Sequence, residues 1–120
     1  MVSTVSCAGG WAAQYNLGGM YDKGQGVAQN YAEAVKWYRL SAAQGVAVAQ
    51  FNLGGMYATG QGVAKDLVRA YMWFNLGAES GYVDAVTNRN IAAKRMTQQQ
   101  IAQAQNMARD CRRRNFKRCD

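Results

Sequence analysis

AQYNLGGMY at residues 13–21 returns as AQFNLGGMY at residues 49–57, a step of 36 residues. The step continues past the motif. GQGVA spans residues 24–28 and again 60–64, Trp37 reappears as Trp73, and Gly45 as Gly81. Of the 33 positions from Ala13 to Gly45, 18 are identical one period later. A fixed period of about 20–50 residues marks a chain of stacked units, each burying its apolar face against its neighbours.

Each unit reads as a helical hairpin. Ala13, Leu17 and Tyr21 stand four apart and share one helix face, with Met20 and Gly18 at its borders. Gly18 costs a helix about 1 kcal/mol relative to alanine, so its return as Gly54 predicts a close approach by a neighbouring element. Gly24-Gln25-Gly26-Val27 is a helix stop and turn. Asn30 then opens a second helix with a capping-box spacing to Glu33, and Asp66 caps the equivalent helix in the next unit. Ala34, Trp37 and Ser41 form its inward stripe, with Ala42 beside it, and Gly45 ends it. The boundaries are a leader at 1–9, which is equally the remnant of a preceding unit, then units at 10–45 and 46–81. A third unit at 82–112 starts in register at Ala85 and then departs: Arg89 stands for Leu53, Asn90 for Gly54 and Ile91 for Gly55. Its first helix is predicted to reach Met96. Thr97 and Gln100 begin another capping box, and the helix after it turns Ile101, Ala104, Gln105 and Ala108 inward. A terminal unit that loses the pattern shields the open end of a solenoid. The remaining residues, 113–120, read as a basic tail.

The net charge of +7 is concentrated at one end. Residues 1–88 carry five basic and five acidic residues, whereas residues 89–120 carry nine basic residues against Asp110 and Asp120. The chain is a neutral scaffold with a cationic end, an asymmetry that suits an anionic partner. There is no proline, as a mostly helical chain prefers. Cys7, Cys111 and Cys119 lie outside the repeated motif. Two readings stay open: Cys111 and Cys119 close a small loop, or the thiols stay unpaired in a reducing cytoplasm. No stretch approaches the roughly 20 apolar residues of a membrane span. The N-terminus as written has no signal-peptide pattern. That predicts a cytoplasmic protein, or a secreted or periplasmic one if the N-terminus is truncated.

The order alanine, LGxMY, GxGV, an Asn or Asp cap, Ala, a Trp-Tyr or Trp-Phe pair, Ala and a closing Gly resembles the Sel1-like repeat, a relative of the tetratricopeptide repeat. The resemblance covers residues 13–81 as two full units, with a degenerate third from about Ala85. Arg95-Met96-Thr97 leading into Gln-Ile-Ala-Gln-Ala-Gln looks like the end of bacterial members. The resemblance implies an all-α, right-handed superhelix of about three hairpins whose first helices line a concave surface. It further implies an adaptor or scaffold in protein complexes, with signalling, envelope assembly and host contact among the roles of bacterial members. Some cysteine-rich members pair cysteines within each repeat; here the repeats hold none, which argues against that secreted subtype.

Two surfaces are candidates for function. On the first helices, opposite the core stripe, stand Tyr15, Asn16, Asp22 and Lys23, then Phe51, Asn52 and Thr59. Asn16 and Asn52 recur at one period and suit a partner peptide bound at regular intervals, while Tyr15 and Phe51 are the rigid aromatics typical of interface anchors. Gly19 and Gly55 leave room for a ligand. The second surface is Arg109, Arg112, Arg113, Arg114, Lys117 and Arg118, suited to phosphates of a nucleic acid or an anionic membrane surface, with Phe116 placed to stack on a base. Its plain alternative is a solubilising tail that complements the last helix dipole. The repeated Tyr21, Tyr57, Trp37, Trp73, Met20 and Met56 read as core. End-to-end stacking into a homodimer is a further expectation. Chemistry has little foothold. The chain lacks histidine, its cysteines have no zinc spacing, and GxG at residues 24–26 and 60–62 lacks the strand context of a nucleotide loop. No cofactor, metal or enzymatic activity is expected.

Overall fold

Glycine ends the first helix of each full unit, and asparagine or aspartate begins the second. The computed structural model describes residues 10–120, so the leader, its reading as a repeat remnant, and Cys7 lie outside the described residues. Among the described residues six helices follow one another: α1 Trp11–Lys23, α2 Tyr31–Ala42, α3 Ala47–Thr59, α4 Leu67–Glu79, α5 Asp84–Ala93 and α6 Gln98–Arg113. The described residues contain no strand. The chain is a short all-α solenoid.

The two full units end their first helices alike. Gly24 and Gly60 take left-handed conformations, φ 68° and 76°, and their N–H groups bond back to Met20 and Met56 carbonyls. An L side chain there would be strained. The second helices start on side-chain caps, Asn30 accepting from the Glu33 N–H at 3.2 Å and Asp66 from the Arg69 N–H at 3.0 Å. The close approach expected at Gly18 and Gly54 is real, and a ring causes it. A Cβ at Gly18 would meet Tyr38 at 2.6 Å, and one at Gly54 would meet Phe74 at 2.7 Å. Each hairpin is therefore locked by an aromatic of its second helix seated on a glycine of its first.

The core is richest along α4, where Met72, Trp73, Phe74 and Leu76 are buried. Leu53 of α3 is wholly buried beside them. Gln50 is buried as well: its amide donates to the Ala42 carbonyl at 3.2 Å and accepts from the Ser80 hydroxyl at 3.2 Å. It ties the end of α2 to the end of α4 through α3. In α6 the buried stripe is Ala104, Ala108 and Cys111, while Gln105, expected inward, is exposed.

The third unit departs from a hairpin. α5 ends at Ala93, short of the expected Met96, because the N–H groups of Arg95 and Met96 bond only three residues back in a tight turn. Thr97 is then free to cap α6, exchanging bonds with Gln100 in the expected capping box. Both α5 and α6 pack chiefly on α4 rather than on each other.

The basic tail folds back on the body. Cys111 and Cys119 form a disulfide, which settles the first of the two open readings. The turn it closes places Asn115, Phe116 and Arg118 at φ 55°, 66° and 55°. Phe116 lies against Gly45, so this ring is packed within the protein rather than held out for a base. The Asp120 carboxylate accepts from Trp73 Nε1 at 2.7 Å and Arg39 Nε at 2.5 Å. Trp37, one period before Trp73, has a buried Nε1 with no acceptor among the described residues.

Candidate partner-binding groove

Residues that repeat at one period line two successive depressions along the first helices. The first, about 440 Å³, is lined by Gly19, Asp22 and Lys23 of α1, Tyr38 of α2 and Asn52 of α3, with Tyr15, Asn16 and Tyr82 at its walls. The second, about 220 Å³, is lined by Gly55, Ala58 and Thr59 of α3, Phe74 of α4 and Asn88 of α5, with Leu67, Ile91 and Arg95 around it. Each of the five named first replaces its counterpart 36 residues earlier: Gly55 for Gly19, Ala58 for Asp22, Thr59 for Lys23, Phe74 for Tyr38, and Asn88 for Asn52. They are one pocket built twice with different side chains.

The chemistry of the two differs. In the first, the Tyr38 hydroxyl donates to Asp22 Oδ2 at 3.1 Å. Burial foremost, and then the Asp22 charge, push the Tyr38 hydroxyl pKa far above its ordinary value, so it stays a neutral donor. Asn52 Nδ2 donates to the Tyr15 hydroxyl at 3.4 Å. Asn16 and Lys23 are exposed. In the second, Phe74 replaces the tyrosine and Ala58 the aspartate, leaving an apolar hollow with Arg95 at its rim. A Cβ at Gly55 would point into open space, with nothing within 4 Å.

The aromatic candidates are walls more than anchors. Tyr15 packs against Tyr38 with ring centroids 5.8 Å apart. Phe51 lies between Phe74 at 5.8 Å and Tyr82 at 4.8 Å, half-buried. Asn88 was missed in the sequence, although the same 36-residue step points to it.

The six cationic candidates separate into two groups. Arg109 and Arg112 face a cleft between α5 and α6, where Arg89 joins them. Arg113 pairs with Asp110 at 3.6 Å, and Arg114 donates to the Arg118 carbonyl at 3.0 Å. Lys117 is exposed on the same turn, and Arg118 lines a hollow between the tail and the Arg39 and Trp73 side chains. Around Asp120, burial works against the Arg39 charge, but the carboxylate and the Tyr57 hydroxyl outweigh it and hold the Arg39 pKa above its ordinary value. Arg39 also donates to the Tyr57 hydroxyl at 3.0 Å.

The Sel1 repeat model matches residues 11–46 and 47–82. The chain belongs to the Sel1 repeat family. Its Sel1 units resemble those of a protective antigen of uropathogenic Escherichia coli strains displaying an SLR fold, with 33% identity and a TM-score of 0.85 over 94% of the chain. A Sel1 repeat protein from Oxalobacter formigenes is 43% identical with a TM-score of 0.64 over 66% of the chain. The chain spans 25% of the length of the first and 32% of the second. Among curated proteins none matches it. Sel1 repeats generally serve as protein–protein interaction modules and non-enzymatic scaffolds. Among the described residues no helix is long and apolar enough to cross a membrane, and no group of His, Cys, Asp or Glu is placed to hold a metal.

Proposed function

We propose that the Sel1 repeats bind an extended segment of a partner protein along α1, α3 and α5, with one partner side chain in each depression. The observation that carries this reading is the twofold pocket itself. A solenoid that contacts an extended chain meets it at repeating intervals, and equivalent hollows one period apart are the matching surface. The first hollow, with Asp22, Lys23 and the Tyr38 hydroxyl, suits a polar side chain. The second, with Ala58, Leu67, Phe74 and Ile91, suits an apolar one. Asn16, Asn52 and Asn88 each offer an amide donor and acceptor to the partner's backbone. Tyr15 and Phe51 act by fixing the walls, so little ordering is left to be done on binding. The Cys111–Cys119 disulfide supports a secreted or periplasmic setting over the cytoplasm.

The test is affinity capture from nuclease-treated lysate with the full chain and three variants. Gly55→Arg fills the second hollow from a position with free space. Asn52→Ala/Asn88→Ala removes two amides. Arg114→Ala/Lys117→Ala/Arg118→Ala neutralises the tail turn. Loss of partner by at least tenfold in the first two, with the third like wild type, is expected. Capture untouched by Gly55→Arg, or lost with the tail charges and with salt, would transfer the binding to the arginine-rich end and overturn the proposal.

A further inference from the structure

The cleft between α5 and α6 goes beyond the groove, since it shares no residue with either hollow. Its origin is a single break in the repeat. Leu53 is wholly buried in the second unit, and one period on stands Arg89. With a guanidinium in place of a core leucine, and α6 held on α4, the space between α5 and α6 stays open at about 410 Å³. That lies within the about 300–1,000 Å³ range of small-ligand sites.

Every side chain around it is polar. Arg89 donates to Asn75 Oδ1 at 2.9 Å, and Arg112 reaches Glu79 Oε1 at 2.5 Å. Gln105 Nε2 donates to the Tyr71 hydroxyl at 3.3 Å, and Arg109 completes the lining. Three guanidiniums against one carboxylate leave the cleft at +2. They come from two helices, so they approach the centre from opposite sides. Their polar partners, Asn75 and Glu79, lie on α4 beneath them and hold two of the three heads in place.

We propose that this cleft binds a phosphate monoester. Such a group carries about −1.5 to −2 charge near neutral pH and three acceptor oxygens, which match the net charge and the planar N–H forks of arginine. A single carboxylate would leave a positive charge unanswered. Glu79 competes with the ligand for Arg112, so it sets affinity downward while keeping that arginine aimed inward. The monoester belongs either to a free small molecule or to a phosphorylated side chain of a peptide, and both present the same group.

The test titrates the full, disulfide-bonded chain with phenyl phosphate and with a phosphoserine pentapeptide flanked by glycines, reading arginine Nε–H resonances by NMR. Sulfate at equal ionic strength is the control. Saturable shifts at Arg89, Arg109 and Arg112 are expected. Tighter binding of the pentapeptide assigns the source to a modified peptide, and equal or tighter binding of phenyl phosphate assigns it to a free monoester. Arg89→Leu, which installs the leucine found one period earlier, should weaken binding at least tenfold without lowering the melting temperature. Glu79→Gln should strengthen it several-fold. Shifts that fail to saturate, that sulfate reproduces, or that centre on Arg114 and Arg118 would overturn the proposal. So would wild-type affinity in Arg89→Leu, or unchanged affinity in Glu79→Gln.

Discussion

Replacing both members of the Cys111–Cys119 pair with serine should free the C-terminal segment. The bond closes a loop of nine residues, and the chain-entropy relation gives it about 2.5 kcal/mol. Within that loop Asn115, Phe116 and Arg118 are held left-handed, which costs non-glycine residues of order 1 kcal/mol each, about 3 kcal/mol in all. What remains to hold the segment is the Asp120 carboxylate on Trp73 and Arg39, and the Phe116 ring against Gly45. The Asp120–Arg39 pair is partly open to solvent and is worth less than a buried pair. Strain and disulfide are therefore of similar size, and without the disulfide the strain is released by letting go. For 120 residues an unfolding entropy of about 2.1 cal/mol/K per residue converts about 2.5 kcal/mol into a melting-temperature loss of about 10 °C with the segment still docked, and a smaller loss once letting go releases the strain. Circular dichroism melts of wild type and Cys111→Ser/Cys119→Ser read that loss. The Trp73 indole N–H resonance reads the departure of Asp120. Melting temperatures within about 2 °C of each other, with the indole resonance unmoved, would refute the reasoning.

Three further outcomes are expected. Gly54→Ala forces a Cβ into the Phe74 ring and should cost about 1–3 kcal/mol in urea unfolding, while the adjacent Gly55→Ala meets open space and should gain about 1 kcal/mol; equal effects would contradict the packing. Gln50→Leu keeps the volume but removes the tie between the Ala42 carbonyl and the Ser80 hydroxyl. The carbonyl keeps the Gly45 N–H and Ser80 stays open to water, so a loss of about 0.5–1.5 kcal/mol is expected, and a gain would show that the tie is dispensable. Burial alone would raise the Asp66 carboxyl pKa, but the Arg69 backbone N–H and guanidinium outweigh it and hold it below the ordinary 3.8. The stability it adds is present above about pH 4 and disappears as pH falls through the lowered value. Asp66→Asn keeps the cap, so acid unfolding should be steeper in wild type, and superimposable pH curves would sink the assignment.

The hairpins were legible because a period of 36 residues repeats every cap, stop and ring-on-glycine contact. Gln50 was not, although it sits in the most repeated stretch: its partners are helix ends from two different units, and no local pattern marks a buried amide. Asn88 was legible in principle through the step from Asn52, but Arg89, Asn90 and Ile91 break the surrounding motif and hide it. Phe51 looked exposed because its second neighbour, Tyr82, comes from the third unit. The departure of Arg89 from Leu53 was visible, whereas the cleft it opens depends on α6 packing on α4. The pairing of Asp120 with Arg39 spans 81 residues, and nothing periodic foretells such a contact.

A stack of helical hairpins is mechanically a spring, and curving it further requires its outer helices to splay. Here a strap runs along the second helices. It is anchored covalently at Cys111 in α6 and ends on Trp73 in α4 and Arg39 in α2. Three successive second helices are thus tied by one short length of chain, which opposes their separation. The spacing between the two hollows is held by the same tie, so on the binding mode proposed above a partner with the wrong interval between its side chains would be rejected by stiffness rather than by any contact it fails to make.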